Sequence, residues 1–392
     1  MKLRVAIIWT SNDKNWLGGR NYFGSLFSAI SAVAPKNLQM VLVKGKKTIT
    51  SLPDEFRWLE VLDTPILDKN YPLQIARRLS LRMFDIDPIL DNFLGKNKID
   101  ILSHSLNFGK KNKLKNLPWL FDFQFMHYPE YWNPKQLRWF DRNFKAACQN
   151  SDGIIVSSED ALRDLKNFYP DFKKPMHVLP FISNRFKFET LPSKSEILGR
   201  YALTRDYFYL PNQFWIHKNH KLAIDALVEL KKIGVEATIV CTGNRMDLRH
   251  PRHFSDLMNY CMQKNVEKNF RVLGVVPYSD AQGLMAYAKA VINPSRFEGW
   301  STTVEEAKTI HKTLLLSDIP VHREQSPLRG HYFSPDHPEA LANLIRTCMS
   351  NETADMPSRD LIEAEYNQRL LKFGRSYLSI LETLVPNWLP IY

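Results

Sequence analysis

The sequence predicts an α/β fold made of two Rossmann-like halves that face a cleft. Short apolar runs of strand length alternate with helical patterns along the 392-residue chain. The alternation stops near residue 183 and starts again at Tyr207. Because strands that alternate with helices form parallel sheets, and because this length is typical of two or three domains, we expect one α/β domain on each side of the interruption.

The first domain is predicted to span residues 1–183. An apolar strand at 2–9 is followed by Gly18 and Gly19, after which apolar residues recur at helical spacing. Further strands are expected at 38–43, 58–62, 99–103, 118–123, 153–157 and 176–180. Helical patterns lie between several of these runs, so this half should form a Rossmann-like sheet flanked by helices.

The second domain is predicted to span residues 205–357. Before it, residues 184–204 begin as a polar, irregular stretch, which indicates a linker that ends in a short helix over 195–203. Strands of the second domain are expected at 207–210, 237–241, 270–273, 290–292 and 313–316. A long helical pattern from about 358 to 384 fills most of the last segment, 358–392.

The positive charge is concentrated in the first half of the chain. Residues 1–190 hold 29 Lys and Arg against 19 Asp and Glu, a net charge of +10, whereas residues 191–392 hold 24 against 22, a net charge of +2. A basic half indicates an acidic partner. We favour an anionic membrane surface, where each basic residue gains on the order of 1 kcal/mol. Nucleic acid is less favoured because zinc-finger spacing and a stacking motif are missing from the sequence; a merely solubilising surface is the remaining alternative.

Cysteine usage and hydropathy indicate a cytoplasmic protein, which would be peripheral at the inner face of the membrane if it binds lipid. The four cysteines are widely separated, so they predict neither a metal site nor a disulfide framework. The apolar part of the first eight residues is too short for a signal peptide. No run approaches the roughly 18–20 apolar residues of a membrane-spanning helix.

The most informative stretch is 296–308, in which Glu298 and Glu306 lie eight positions apart. It follows an apolar run at 290–294 and leads into a helical pattern, so Glu298 is expected on a loop after a strand and Glu306 on the next helix. Open α/β sheets bind ligands at that edge, and amides at a helix N-terminus attract phosphates. Carboxylates beside such amides suit a ligand that has both hydroxyls and phosphates, as a nucleotide-sugar has. The alternative is a solvated, capped helix start.

This stretch resembles the donor-site signature of the retaining family 4 glycosyltransferases, which have the GT-B fold. The shared pattern is Glu, seven residues, Glu, with Gly after the first Glu and Ala after the second. The resemblance implies that Glu298 contacts the sugar and Glu306 the ribose, and that the last helix crosses back to the first domain. It also implies that backbone amides of four residues stabilise the departing diphosphate: Gly299, Trp300, Ser301 and Thr302.

A basic stretch after the first strand of the second half is the expected phosphate site. A lysine that enters a helix start can neutralise a phosphate, together with the helix amides. The resemblance places the diphosphate-binding lysine at Lys218. Asn219 stands where the family has Gly, and Asn212 stands where it often has Arg. Either one cation is then missing from the site, or Lys221 or Arg296 substitutes for it.

Two glycine-containing turns are further candidates for the donor site. Gly18 and Gly19 follow the first strand, where the family carries Gly-Gly near the donor phosphate and acceptor, and Arg20 beside them is a candidate for acceptor contact. By itself, a glycine pair indicates either close backbone approach to a ligand or a tight turn. Thr242 and Gly243 follow the strand at 237–241, where a nucleotide base would lie.

The histidines of the first half leave two interpretations open. The stretch 119–130 resembles the family's Asp-Phe-Gln-His region, from which a histidine usually touches the transferred sugar. Phe125 occupies the first of the two family histidine positions and His127 the second. His127 is therefore either catalytic or structural, and His104, at the end of the strand at 99–103, is a weaker candidate for acceptor binding.

We expect no metal site. His217 and His220 lack a matching third ligand, so a capping role is favoured for them. Asp85 and Asp87 form an Asp-x-Asp pair, but they lie in a basic, helix-like region away from the strands that build the cleft.

Residues and resemblance together imply a retaining, metal-independent hexosyltransferase without a cofactor. Its donor would be a nucleoside-diphosphate sugar, with GDP-mannose favoured and a UDP-sugar possible. Its acceptor would be a glycan or lipid-linked glycan in the synthesis of surface polysaccharide such as lipopolysaccharide. The alternatives are a non-catalytic GT-B binding or scaffold subunit, which Asn212 and Phe125 favour, and a basic nucleic-acid-binding protein.

Overall fold

The computed structural model describes residues 2–9, 17–48, 54–106, 108–109, 114–203, 206–352 and 355–392. The chain divides into two compact units. The first unit consists of Met1–Pro129, Asn133–Phe181 and Gln368–Tyr392. The second consists of Glu130–Trp132 and Ile182–Asn367.

The first unit is built on parallel strands. They are β1 (Leu3–Trp9), β2 (Leu38–Gly45), β3 (Glu60–Thr64), β4 (Ile101–Ser103), β5 (Lys115–Leu117), β6 (Trp119–Leu120), β7 (Ile154–Val156) and β8 (Met176–Val178). Five strands form a sheet in the order β3-β2-β1-β4-β5, and β6, β7 and β8 form a second sheet. Only Pro118 separates β5 from β6, because proline has no N–H to donate. Its carbonyl still accepts a hydrogen bond from the Ile155 amide at 2.9 Å.

Six helices of the first unit connect these strands. They are α1 (Leu17–Val33), α2 (Pro72–Phe84), α3 (Pro88–Lys96), α4 (Gln124–His127), α5 (Pro134–Asn150) and α6 (Glu159–Phe168). Several of them begin at side-chain caps, which explains where they start. Asn133 and Gln136 form a capping box on α5, and the Ser158 hydroxyl accepts from the Ala161 amide at the start of α6.

The second unit contains one six-stranded parallel sheet. Its strands are β9 (Phe208–Leu210), β10 (Ile239–Thr242), β11 (Phe270–Gly274), β12 (Val291–Asn293), β13 (Leu314–Ser317) and β14 (Gly330–Phe333). They are ordered β11-β10-β9-β12-β13-β14, which is the order of a doubly wound sheet. The order reverses between β9 and β12, so the ends of these two strands are where such a sheet binds ligands.

Helices cover both faces of this sheet. They are α7 (Lys194–Arg200), α8 (His220–Lys232), α9 (His253–Gln263), α10 (Tyr278–Tyr287), α11 (Thr302–Thr309), α12 (Pro320–Gln325), α13 (Pro338–Ser350) and α14 (Arg359–Leu384). Alternate strand residues point to opposite faces. Phe208 and Leu210 pack with α8, α9 and α13 in one core, whereas Tyr207 and Tyr209 pack with α10 and α11 in the other.

The predicted fold class is confirmed, with two Rossmann-like α/β units. Each predicted strand is present, although the one expected at 118–123 is only β6. The short strands β5 and β14 were not predicted, because Lys115–Leu117 is only partly apolar and Gly330–Phe333 is a partly exposed edge strand. Phe186 and Ile197, from the stretch expected to be a linker, are buried in the second unit's core. The last helix passes from one unit to the other near Gln368.

None of the described helices combines the length and apolar character that a bilayer-spanning segment requires.

Candidate functional site

The reversal point of the second sheet brings Lys218 and Glu298 together. Lys218 ends a short 3-10 turn after β9, and Glu298 lies on the loop between β12 and α11. Lys218 Nζ donates to Glu298 Oε1 at 2.7 Å. The two side chains are 13% and 8% exposed. Since an isolated buried charge is costly, each charge depends on the other for its stability.

The electrostatics of the pair keep the Glu298 carboxylate ionised. Burial pushes the pKa of Glu298 upward, but the Lys218 ammonium and the nearby His322 ring outweigh it, so the pKa lies below its ordinary value. His322 Nδ1 lies 2.9 Å from the Ser317 carbonyl, which requires the proton on that nitrogen. His322 Nε2 is buried and has no hydrogen-bond partner among the described residues.

Asn293, at the end of β12, holds the loop that carries Glu298. Its Oδ1 accepts from Asn212 Nδ2 at 3.0 Å and from Ser295 Oγ at 2.7 Å, and its Nδ2 donates to Ser301 Oγ at 2.9 Å. Asn293 is completely buried. Asn212, expected to bind the donor, is also buried and belongs to this network. In the structure its side chain joins the end of β9 to the end of β12.

Gln325 occupies one of the amides that were expected to bind phosphate. Its Oε1 accepts from the Ser301 amide at 3.2 Å, while its Nε2 donates to the Ser301 carbonyl and to Glu305 Oε1, both at 2.9 Å. Ser301 in turn caps α11, since its hydroxyl accepts from the Val304 amide. The Ser301 amide is therefore already hydrogen-bonded within the protein and is not free for an anion.

Asn219 adopts a left-handed backbone conformation. Its φ is 55°, in the left-handed region that glycine and asparagine adopt most readily. Its Nδ2 donates to the Pro294 carbonyl at 3.1 Å and to the Pro335 carbonyl at 2.9 Å. The asparagine thus ties the Lys218 turn to the loop after β12.

Three basic residues of the second unit that could assist Lys218 have carboxylate partners. Lys221 pairs with Asp225 at 2.7 Å, and Arg296 pairs with Asp336. Arg249, which the sequence did not single out, lies with its guanidinium 5.3 Å from the centre of the Trp215 ring. After burial, the Lys218 and Arg249 charges are the next causes that lower the pKa of His217. Arg249 is itself paired with the buried Asp247, with Nε 2.9 Å from Oδ1, so its charge is compensated in the same way.

Glu306 lies on α11 beside a small cavity. Its Oε1 accepts from the Tyr278 hydroxyl at 3.2 Å, and burial raises the pKa of Glu306 to about 7. The cavity volume is about 30 Å³. Gln282 Oε1 is buried there without a hydrogen-bond partner among the described residues. Further residues line the cavity: Asn184, Phe186, Tyr209, Pro211, Ala281, Met285 and Thr309.

The backbone after β10 packs closely against the backbone after β9. A Cβ on Gly243 would lie 2.4 Å from the Asn212 carbonyl oxygen, and the φ of Gly243 is 140°. Only glycine fits at this position, because any side chain would collide with the backbone of Asn212. The Thr242 hydroxyl is 2.7 Å from the Tyr209 hydroxyl, which also lines the cavity beside Glu306.

Glu306→Gln is expected to raise the free energy of unfolding at alkaline pH by about 1–3 kcal/mol. The folded-state pKa of about 7 lies above the ordinary 4.5, so the wild type binds a proton on folding between these values. The stabilisation from that proton is complete below 4.5 and lost as the pH rises through about 7. Urea unfolding at a series of pH values measures the difference, with Glu267→Gln, an exposed carboxylate, as control. An equal effect of Glu306→Gln at acidic and alkaline pH would contradict this expectation.

The predicted site residues His127, Gly18, Gly19 and Arg20 belong to the first unit. His127 Nε2 lies 2.8 Å from Asp164 Oδ2, and this hydrogen bond is the largest cause of the raised pKa of His127. The contact gives His127 a side-chain partner within the first unit. Gly18 and Gly19 lie in the first turn of α1, and the side chain of Arg20 is outside the described residues.

His104 belongs to a buried chain of hydrogen bonds. Its Nε2 is 2.7 Å from the Tyr22 hydroxyl and its Nδ1 is 2.7 Å from Ser103 Oγ. The Tyr377 hydroxyl, from α14, donates to the same Ser103 Oγ at 2.9 Å. Burial lowers the pKa of His104 to about 3, so this imidazole is neutral at physiological pH.

The Asp-x-Asp pair has structural partners. Asp87 is buried, accepts from Arg77 Nη2 at 2.7 Å and caps α3 by accepting from the Leu90 amide at 3.0 Å. Asp85 ends α2 in a left-handed conformation. Across the residues that the structure describes, no group of three or more His, Cys, Asp or Glu is arranged to hold a metal ion.

Part of the chain matches the sequence model of a known protein family. Residues 201–368 match the family model described as "Glycosyl transferases group 1". This segment contains Lys218, Glu298 and Glu306. No curated protein matches the chain in a sequence search.

Several solved structures match nearly the whole chain. Sucrose-phosphate synthase from Thermosynechococcus elongatus aligns over 98% of this chain and 100% of its own, with a TM-score of 0.68 at 13% identity. HepE of Anabaena, in complex with UDP-glucose, aligns over 98% and 100%, with a TM-score of 0.67 at 16% identity. WaaG, a glycosyltransferase involved in lipopolysaccharide biosynthesis, aligns over 95% of both chains, with a TM-score of 0.61 at 13% identity. At these identities the likeness shows the fold, which is GT-B.

Proposed function

We propose that this chain, which carries a glycosyl transferases group 1 domain and has the GT-B fold, is a retaining, metal-independent hexosyltransferase. The observation that carries the proposal is the buried pair of Lys218 and Glu298 at the reversal point of the second sheet. A cation and a carboxylate at that point suit the two ends of a nucleoside-diphosphate sugar, since the ammonium attracts the diphosphate and the carboxylate accepts from sugar hydroxyls.

Each residue of the site has a role in the proposed reaction. Lys218 turns from Glu298 towards the diphosphate, and the N-terminal amides of α11 assist it. Glu298, released, accepts hydrogen bonds from the hexose, and Glu306 accepts from the ribose. Preorganised donors aimed at developing charge commonly supply the largest catalytic contribution.

The chemistry needs only the substrates and these groups. The bond between the anomeric carbon and the diphosphate oxygen breaks, and the acceptor hydroxyl bonds to the same carbon from the same face. The hydroxyl proton passes to the departing diphosphate. Charge on the diphosphate is neutralised by Lys218 and by the helix amides, so no metal and no cofactor takes part in the proposed mechanism.

The donor and acceptor are proposed by class. GDP-mannose is the donor favoured by the sequence pattern, and a UDP-sugar is the alternative, which the likeness to HepE in complex with UDP-glucose supports. The acceptor is a glycan or lipid-linked glycan of surface polysaccharide, in line with the fold shared with WaaG and with the basic first half. An anionic membrane surface at the inner face of the cell membrane is then the expected partner.

A thermal-shift panel of GDP, UDP, their sugars and ADP tests the donor site. The cognate nucleotide at about 100 times its dissociation constant should stabilise the native state by about 2.7 kcal/mol. Glu306→Gln should weaken this shift, whereas the exposed-site control Glu267→Gln should not. Lack of stabilisation by any nucleotide or its sugar would overturn the proposal.

Transfer must then be measured with the donor that binds. Donor binding without hydrolysis or transfer to any glycan acceptor would identify a non-catalytic binding subunit. Tight, steeply salt-dependent binding to nucleic acid, with indifference to sugar nucleotides, would identify the basic nucleic-acid binder.

A further inference from the structure

Helix α2 carries its apolar side chains on the outside. Ile75, Leu79 and Met83 recur every four residues and therefore share one face of the helix. Their exposed fractions are 51%, 51% and 67%. A surface helix of a globular domain normally turns such a stripe towards the core.

The inner side of α2 is held by a charge instead. Arg77 is the buried residue of the helix, and its guanidinium donates to both oxygens of Asp87 and to the Ile66 carbonyl. This anchor sets which side of α2 faces the unit. The outward stripe follows from that anchor, because Ile75, Leu79 and Met83 lie on the opposite side of the helix from Arg77.

Unpaired cations border the apolar stripe. Arg78 and Arg82 are exposed and lie three positions after Ile75 and Leu79. Neither forms an ion pair with any residue that the structure describes. Helix α2 contains no acidic residue. The outer surface of the helix is therefore apolar along its centre and positive along one edge.

Helix α5 lies beside α2 and carries further exposed apolar and basic side chains. Arg142 Nη2 donates to the Leu81 carbonyl of α2 at 3.0 Å, and Asn150 Nδ2 donates to Asp85 Oδ2 at 2.9 Å, so the two helices are neighbours. Trp139 of α5 is 50% exposed, with Lys135 and Arg138 exposed on the same side. The acidic residue of α5, Asp141, pairs with Lys145.

We propose that the α2–α5 face (Ile75, Leu79, Met83 and Trp139, bordered by Arg78 and Arg82) docks the first unit on an anionic lipid bilayer. The apolar side chains enter the boundary between headgroups and acyl chains, as in interfacial helices. The guanidinium groups meet lipid phosphates, and the indole ring occupies the interfacial level that tryptophan prefers. This docking surface rests on the proposed function for its biological role, because a lipid-linked acceptor would lie in such a bilayer.

Other occupants fit this face less well. A second copy docked by a two-fold axis would bring two sets of unpaired arginines together, which is repulsive. Single-stranded nucleic acid binds to basic grooves through aromatic rings on which bases stack, whereas the central stripe here is aliphatic. A bilayer with anionic headgroups satisfies both the stripe and the cations.

Flotation with vesicles tests the docking surface on the full chain. Wild-type protein should float with phosphatidylcholine vesicles that contain phosphatidylglycerol and should remain unbound with pure phosphatidylcholine. The triple variant Ile75→Ser/Leu79→Ser/Met83→Ser should bind about 10–100-fold more weakly. The variant Arg78→Gln/Arg82→Gln should bind about 10–30-fold more weakly and show a weaker salt dependence.

Matched control variants distinguish vesicle binding through this face from nonspecific binding through other exposed apolar or charged side chains. Leu248 and Leu328 are 79% and 82% exposed on the second unit, so Leu248→Ser/Leu328→Ser removes apolar surface elsewhere. Lys268→Gln/Arg346→Gln removes the same number of exposed charges from that unit. Both controls should float as the wild type does. Thermal unfolding should show that every variant remains cooperatively folded, because each replaced apolar side chain is at least half exposed and each replaced charged side chain is exposed.

Three results would overturn the inference. The first is equal binding of wild-type protein to neutral and anionic vesicles, or to neither. The second is unaltered flotation of the triple variant. The third is a dimer or a nucleic-acid complex that the triple variant abolishes, which would give the face another occupant. Vesicle binding needs no donor, so a negative nucleotide panel with positive flotation would reject the proposed transferase and keep the docking surface.

Discussion

Lys218→Met is expected to lower the rate of sugar transfer about 100–1000-fold and the free energy of unfolding by about 3–5 kcal/mol. The rate falls because the departing diphosphate loses its cation. The stability falls because Glu298, only 8% exposed, is left without its partner at 2.7 Å. Initial rates with the cognate donor and urea unfolding at neutral pH measure the two losses.

A double-mutant cycle separates the two effects. Glu298→Gln should also reduce the rate, but it leaves no unpaired carboxylate and should cost less stability. Lys218→Met with Glu298→Gln should recover much of the stability lost by Lys218→Met alone, without recovery of rate. Alanine at either position would mix the two effects, since the pair is buried. Lys232→Met, at a side chain that is 63% exposed, is the control and should change neither quantity.

The stability loss in Lys218→Met should depend on pH in a defined direction. In the wild type the pKa of Glu298 is below its ordinary 4.5, so the stabilisation is present above that value and lost as the pH falls through the folded-state pKa. In the variant, burial acts on Glu298 without the opposing ammonium. The difference between wild type and variant should therefore be largest at neutral pH and shrink in acid. A full transfer rate in Lys218→Met would remove Lys218 from the proposed mechanism.

Asn293→Ala is expected to lower the free energy of unfolding by about 3–5 kcal/mol and the transfer rate at least tenfold. Asn293 is completely buried and bonds to Asn212, Ser295 and Ser301. The substitution leaves the Asn212 amide and the Ser295 hydroxyl without this acceptor, and each such unsatisfied group costs about 1–3 kcal/mol. The rate falls because the loop that positions Glu298 loses its attachment to β9 and to α11.

Initial transfer rates with the cognate donor and urea unfolding at neutral pH measure the effects of Asn293→Ala. Asn343→Ala, at an exposed position of α13, is the matched control and should stay within about 0.5 kcal/mol of the wild type. Donor affinity should fall less than the rate, if Asn293 acts by positioning Glu298. A stable Asn293→Ala variant would show that the network contributes little, and would contradict the role assigned to it.

The candidate site was predictable where its signals are local in sequence. Glu298 and Glu306 stand out because an apolar strand precedes them and a helical pattern follows, and Lys218 because it follows the first strand of its half. Their partners were not predictable in the same way. Lys218 and Glu298 are 80 positions apart, and Gln325 reaches Ser301 from the helix after the next strand. Arg249 carries no motif that distinguishes it from other surface arginines.

Other residues changed meaning once their neighbours were known. No metal role was expected for the Asp-x-Asp pattern at 85–87, and the structure adds the partner of Asp87, which is the buried Arg77. His127 offered a catalytic and a structural interpretation, and its contact with Asp164 supplies a structural partner. Asn212, expected among the donor ligands, is part of the Asn293 network.

Periodicity along the chain was enough to establish two Rossmann-like units, the positions of most strands, and which loops follow the strands that bind ligands. These properties depend on residues close together in sequence, because a strand or helix is selected by the spacing of its own apolar residues. Folding decided which side chains meet and which side of a helix faces outward. The Lys218–Glu298 pair depends on β9 and β12 lying side by side, and the outward stripe of α2 depends on Arg77 finding Asp87; both are long-range contacts that no local spacing contains.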